Sequence, residues 1–167
     1  MDKDNQVKFI PTNDMPIRDF PLKDNKAKGA IEIYNMPEKN NNGKVFPYRY
    51  ILGLDPVATD DADSVSLMSV FVLDLWTDRI VAEYTGRQVY ADDGYEIVRL
   101  MCMFYNGKCL YESNIKGPFA YFSKMNSIHL LADTPEYLRD KQLIKYSSFG
   151  SNAKGVNASL AINNFED

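Results

Sequence analysis

Tyr50-Ile51-Leu52-Gly53-Leu54-Asp55-Pro56 is the stretch on which the reading of this chain turns. It is an apolar run that delivers one carboxylate at its end and then stops at a proline, which has no N–H to give to a strand ladder. The near-continuous apolar character predicts a strand covered on both faces. A second stretch of the same design follows, Cys109-Leu110-Tyr111-Glu112-Ser113-Asn114. Strand-end carboxylates contribute little to a core, so a matched pair of them asks for a chemical reason.

Outward from these two stretches, the pattern predicts an α/β chain. Val65 to Trp76 reads as a long strand, Thr77-Asp78 as a tight turn, and Arg79 to Tyr84 as the next strand, with Ile80, Ala82 and Tyr84 on one face. Together with Tyr50–Leu54 these make a three-strand antiparallel meander. Ala30 to Tyr34 alternates like an edge strand. The period then becomes helical, with Tyr95, Val98, Cys102 and Tyr105 recurring on one face. Asp93 with Glu96 resembles a capping box, and Asn106-Gly107 a helix stop. After the strand Lys108–Glu112, Gly117-Pro118 predicts a helix start that carries Phe119, Tyr121 and Phe122. Ile128–Leu131 reads as a further strand with His129 in the core, and Thr134-Pro135 as the start of another helix. Residues 1–29 read as a linker or extended arm and 30–167 as one domain.

Composition bounds the function. The 167 residues are 45% apolar, enough for one cored domain, and the net charge is -4 from 19 basic and 23 acidic side chains. An acidic chain lacks the basic signature of most nucleic-acid binders. Acids gathered around a cation, however, count in that sum while the ion does not. Cys102 and Cys109 have no metal-site spacing and read as buried reduced thiols. The polar start and the interrupted apolar runs predict no leader, no membrane span and a cytosolic protein. His129 is the single histidine, which leaves Ser- or Cys-based triads without support.

A meander followed by a helix lets the next strand return beside the first and parallel to it, about 4.8 Å away. Asp55 and Glu112 then sit side by side at one sheet end. Facing carboxylates repel, and a shared hard cation removes the repulsion. Two such ions about 4 Å apart are what metal-assisted phosphodiester cleavage uses. Asp63, across the polar turn from Asp55, is the next candidate ligand. Asp60 and Asp61 read as solvated members of that turn. Lys116, Lys124, Lys154 and Arg87 are the candidate phosphate contacts.

With these residues in place, the chain resembles the nuclease domain of viral large terminases, the DNA-packaging motors of tailed bacteriophages and herpesviruses. The resemblance rests on Ile31-Glu32-Ile33-Tyr34, Tyr50–Pro56, Asp63-Ser64, and Glu112-Ser113-Asn114-Ile115-Lys116-Gly117, and covers roughly residues 28 to 165. It implies a ribonuclease H-like fold of the resolvase type and an endonuclease that uses two Mg²⁺ or Mn²⁺ ions to cut concatemeric double-stranded DNA. It further implies Asp55 and Glu112 as central metal ligands, Asp63 as an auxiliary one, and Asn114 near them or near the DNA backbone. The implied partners are a terminase ATPase domain, a portal and a small terminase subunit, and the implied location is the host cytoplasm. No phosphate-binding G-x-x-x-x-G-K-[ST] loop is present, so the ATPase is not in this stretch. The family's third core Asp comes from a helix near the C-terminus. Asp133, Asp140 and Asp167 all lack that context, which reads as a domain truncated before its last acid, binding metal poorly and cutting weakly or not at all. Two alternatives keep the same acids: a resolvase or transposase relative, and a DNA-docking module without catalysis.

Overall fold

The structure, a computed structural model, describes residues 7–19, 27–57, 66–113, 115–136 and 154–155. Five strands form one mixed sheet: β1 (Ile31–Ile33), β2 (Tyr50–Asp55), β3 (Met68–Asp74), β4 (Arg79–Gly86) and β5 (Lys108–Tyr111), in the spatial order β1-β4-β3-β2-β5. β1, β4, β3 and β2 pair antiparallel, and β5 pairs parallel to β2. The parallel return requires a crossover, supplied by helix α1 (Ala91–Tyr105). Helix α2 (Gly117–Lys124) follows β5. The meander and the return of the next strand beside the first are as the sequence predicts.

Alternation sorts the side chains of the sheet. Leu52 and Leu54 of β2, Val70 and Val72 of β3, and Cys109 and Tyr111 of β5 join Val98, Met101, Cys102 and Tyr105 of α1 in one core. α2 adds Phe122, fully buried, and Tyr121. Cys102 and Cys109 are buried and unbridged. The Cys102 hydrogen bond, with burial, pushes the Cys109 thiol far up and keeps it protonated.

Several local expectations are corrected. α1 begins at Ala91 with Tyr90 as N-cap and no side-chain capping bond. Asp93 therefore lies in the first turn, where a carboxylate suits the positive helix end. Glu96 instead grips Arg99, at 2.6 and 2.7 Å, and accepts the Tyr121 hydroxyl. At the other end Asn106 adopts the left-handed conformation (φ 51°) and stops the helix as predicted. Ile128–Leu130 is a 3₁₀ turn rather than a strand, and His129 is exposed on it. Only Leu131 pairs with β5, through a bridge to Cys109. The helix expected from Thr134 lies largely outside the described residues. In β4 a bulge takes Val81 out of register, so Val81 and Ala82 are both buried while Ile80 is exposed.

β3 ends at Asp74, and the reason is electrostatic. Arg49 and Asp74 are 4% and 3% exposed and joined by two parallel bonds, Nε–Oδ1 at 2.9 Å and Nη2–Oδ2 at 2.7 Å. Arg49 also donates to Glu38, and its guanidinium lies 4.6 Å from the centre of the Trp76 ring. Asp74 accepts the Trp76 backbone N–H as well, which turns the chain into the β3–β4 connection. Trp76 is accordingly 60% exposed in that turn, the outer slab over a buried ion pair.

Breaking this pair leaves a buried charge alone, which costs about 3–5 kcal/mol. Arg49→Ala is expected to lower the melting temperature by roughly 10 °C, measured by calorimetry. The Arg49 hydrogen bonds hold the Asp74 carboxyl below its usual range. Its stabilisation is therefore full above the ordinary aspartate value of about 3.9 and is lost as pH falls through the lower folded value. Asp74→Asn should flatten the acid limb of a pH–melting curve relative to the unsubstituted chain.

Candidate functional site

β2 and β5 run in register with Ile51 opposite Lys108, Leu52 opposite Cys109, Gly53 opposite Leu110 and Leu54 opposite Tyr111. One residue beyond the last pair come Asp55, the end of β2, and Glu112, just past the end of β5. Leu54 and Tyr111 point into the core, so alternation puts the two acids on the other face of the sheet. Asp55 is exposed and Glu112 half-buried. Partial desolvation, with the Glu112 charge as second cause, holds the Asp55 carboxyl above the usual aspartate range. The pair forecast from strand-end placement is thus brought together.

Two tyrosine contacts fix the frame around it. The Tyr95 hydroxyl of α1 donates to the Val57 carbonyl at 2.6 Å, tying down the segment that leaves β2 just after Asp55. A Cβ on Gly117, where α2 begins after Glu112, would stand 2.3 Å from that same hydroxyl oxygen. Only glycine lets α2 start this close to α1. One side chain of α1 thereby sets the exits of both acid-bearing strands.

The open face carries further groups that sequence reasoning missed. Ser69 lies directly across from Asp55, and Thr85 across from Ser69. Their hydroxyls are 2.9 Å apart, so a polar row runs over β4, β3, β2 and β5 and ends on the two acids. One step away Gly53 stands exposed between Phe71 and Leu110, with nothing within 4 Å of where its Cβ would be. The connection from β2 to β3 is long, so no tight turn announces this register in the sequence.

The remaining candidates are distributed as follows. Asp63 and Asn114, with Asp60, Asp61, Asp140 and Asp167, lie outside the described residues. Lys116 is the exposed N-cap of α2, on the stretch that leaves Glu112. Lys124 is drawn to Asp92 at 3.1 Å, and Lys154 to Asp133, whose backbone it also meets in an antiparallel bridge. Arg87 donates to the Ser66 carbonyl. Phosphate binding by Lys124 or Lys154 would therefore first cost an ion pair.

Among the described residues no group of three or more acidic, histidine or cysteine side chains comes together. The pair alone fits one hard divalent cation: it is all oxygen, it carries two mutually repelling charges, and it is open on one side to water, which fills the remaining coordination positions of Mg²⁺. A second ion needs another ligand.

Because the folded Asp55 carboxyl holds its proton to higher pH than an unfolded one, folding takes up protons between the two values. Stability falls as pH rises through that window, and stays lower above it. Asp55→Asn is expected to raise the melting temperature by roughly 1–3 °C at neutral pH without divalent ions. Mn²⁺ should stabilise the unsubstituted chain and leave Asp55→Asn unmoved, as read by a thermal-shift titration.

No family model matches the chain, and neither a curated protein nor a solved structure is found similar to it.

Proposed function

We propose that this chain is a divalent-metal-dependent endonuclease domain with a ribonuclease H-like fold, acting on double-stranded DNA as the nuclease part of a viral packaging terminase. The observation that carries the reading is the placement of Asp55 and Glu112 at the ends of the adjacent parallel strands β2 and β5, with the Asp55 carboxyl raised by partial desolvation and by the Glu112 charge. The topology supports it: an antiparallel meander, a helical crossover, and a strand returning in parallel beside the first. The metal is Mg²⁺ or Mn²⁺, as the hard oxygen donors imply.

The residues divide the work as follows. Asp55 and Glu112 hold the cation, which when bound supplies an activated water and neutralises charge on the phosphate. Asp63 is the auxiliary ligand that a second ion calls for. Tyr95 positions both acid-bearing strand ends through Val57 and the close approach of Gly117. Gly53 keeps the sheet face low beside the acids, so that a DNA strand approaches without meeting a side chain there. Lys116, near Glu112, and Asn114 meet the backbone phosphates. The ATPase domain, portal and small subunit belong to this reading as partners.

The test is nicking of supercoiled plasmid with Mn²⁺. Activity that drops at least about a hundredfold in both Asp55→Ala and Glu112→Ala, with unchanged melting behaviour, is the expected result. Nicking that persists in both variants would remove the acids from the chemistry. Cutting confined to branched DNA would move the substrate from packaged duplex to junctions.

A further inference from the structure

The far end of the sheet, at the starts of β2 and β5, holds a concave site of about 700 Å³ that the nuclease reading leaves unused. That is the size of an ordinary ligand site. Its apolar wall is Met36, Val45, Met103 and Phe104, and Lys39 and Lys44 stand on its rim. Among the described residues no acidic side chain lines it, although the chain as a whole carries a net charge of -4. Neither lysine makes an ion pair with a described residue.

The lysine platform is built in advance. The Asn40 amide donates to the Lys44 carbonyl at 2.8 Å, and the Asn40 side chain accepts from the amides of Asn42 and Lys44. Gly43 takes a left-handed conformation (φ +72°) that closes the loop. Lys39 bridges Val45 across it. The two ammonium groups thus start from a fixed backbone on one side of the cavity. Met36 and Met103, 67% and 37% exposed, give the wall two unbranched side chains that adapt to an incoming shape.

The chain itself shows what this surface accepts. The start of the arm 7–19 lies beside the cavity, with Val7 in its lining and the Phe9 ring edge-on to Phe104 at 4.9 Å. One apolar side chain of the arm thus lines the cavity and another packs on a wall residue. Beside them the lining offers Met36, Val45 and Met103 together with Lys39 and Lys44.

We propose that this cavity binds an extended segment of a partner protein in which acidic residues alternate with apolar ones. The apolar side chains enter between Met36 and Phe104, and the carboxylates meet Lys39 and Lys44. The site lies at the opposite end of β2 from Asp55, so its occupation does not depend on the metal chemistry.

A short fluorescein-labelled peptide of alternating Asp and Leu residues serves as the probe, with fluorescence anisotropy as the readout. Saturable binding is expected, weakened at least about tenfold by Lys39→Glu with Lys44→Glu and unaffected by Asp55→Asn. The matching peptide of alternating Lys and Leu should fail to bind. Both lysines are exposed, so the double variant should melt like the unsubstituted chain. Absence of saturable binding, or binding indifferent to the charge reversals, overturns the proposal. Binding that emerges only when residues 1–6 are deleted overturns it too, by making the chain's own N-terminus the occupant.

Discussion

The parallel pairing of β2 with β5 is the constraint on which everything else hangs. It forces a crossover, and α1 supplies it by burying Val98, Met101, Cys102 and Tyr105 against the strands it connects. The apolar contact fixes which face of each strand looks inward. Because side chains alternate, that choice also fixes where the acids go: with Leu54 and Tyr111 buried, Asp55 and Glu112 have only the outer face. A slip of one residue in either strand would send one carboxylate into the core. The acid pair is thus held by hydrophobic packing elsewhere, which is what allows two like charges to remain neighbours.

How much of this is legible in the sequence follows from the range of each interaction. The strand ends at Asp55 and Glu112 are marked locally, by an apolar run, an acid and a stop, and the helical period of α1 implies the parallel return. The exposed Trp76 is not legible, because its place depends on Arg49 reaching Asp74 across the β2–β3 pair. Ile128–Leu130 has the composition of a strand yet turns in 3₁₀ form, since only Leu131 meets the edge of β5. Tyr95 reads as one of several apolar helix positions. Its bond to the Val57 carbonyl and its approach to Gly117 exist only once the helix lies on the sheet. Ser69 and Thr85 are ordinary strand hydroxyls until the register aligns them with Asp55. The cavity near Lys39 and Lys44 unites the arm, a hairpin loop and the end of α1, three stretches with no shared pattern.

The two ends of the β2–β3 pair make the functional argument by contrast. Each carries a strand-terminal aspartate. At one end Asp74 is enclosed by Arg49, the Trp76 amide and the Thr77 side chain, and its carboxyl is lowered. At the other, Asp55 is partly desolvated beside a second acid, and its carboxyl is raised. A fold that can surround one carboxylate with donors has the means to do so for another. Arg49 shows that a cation placed one residue before a strand reaches its neighbour's acid. No described side chain of that kind is bonded to Asp55, and Lys124 and Lys154 are spent on Asp92 and Asp133. Repulsion between the two carboxylates is a cost to stability, and perturbed carboxylates of this kind cluster where a protein does chemistry. A divalent ion between Asp55 and Glu112 would turn that cost into affinity.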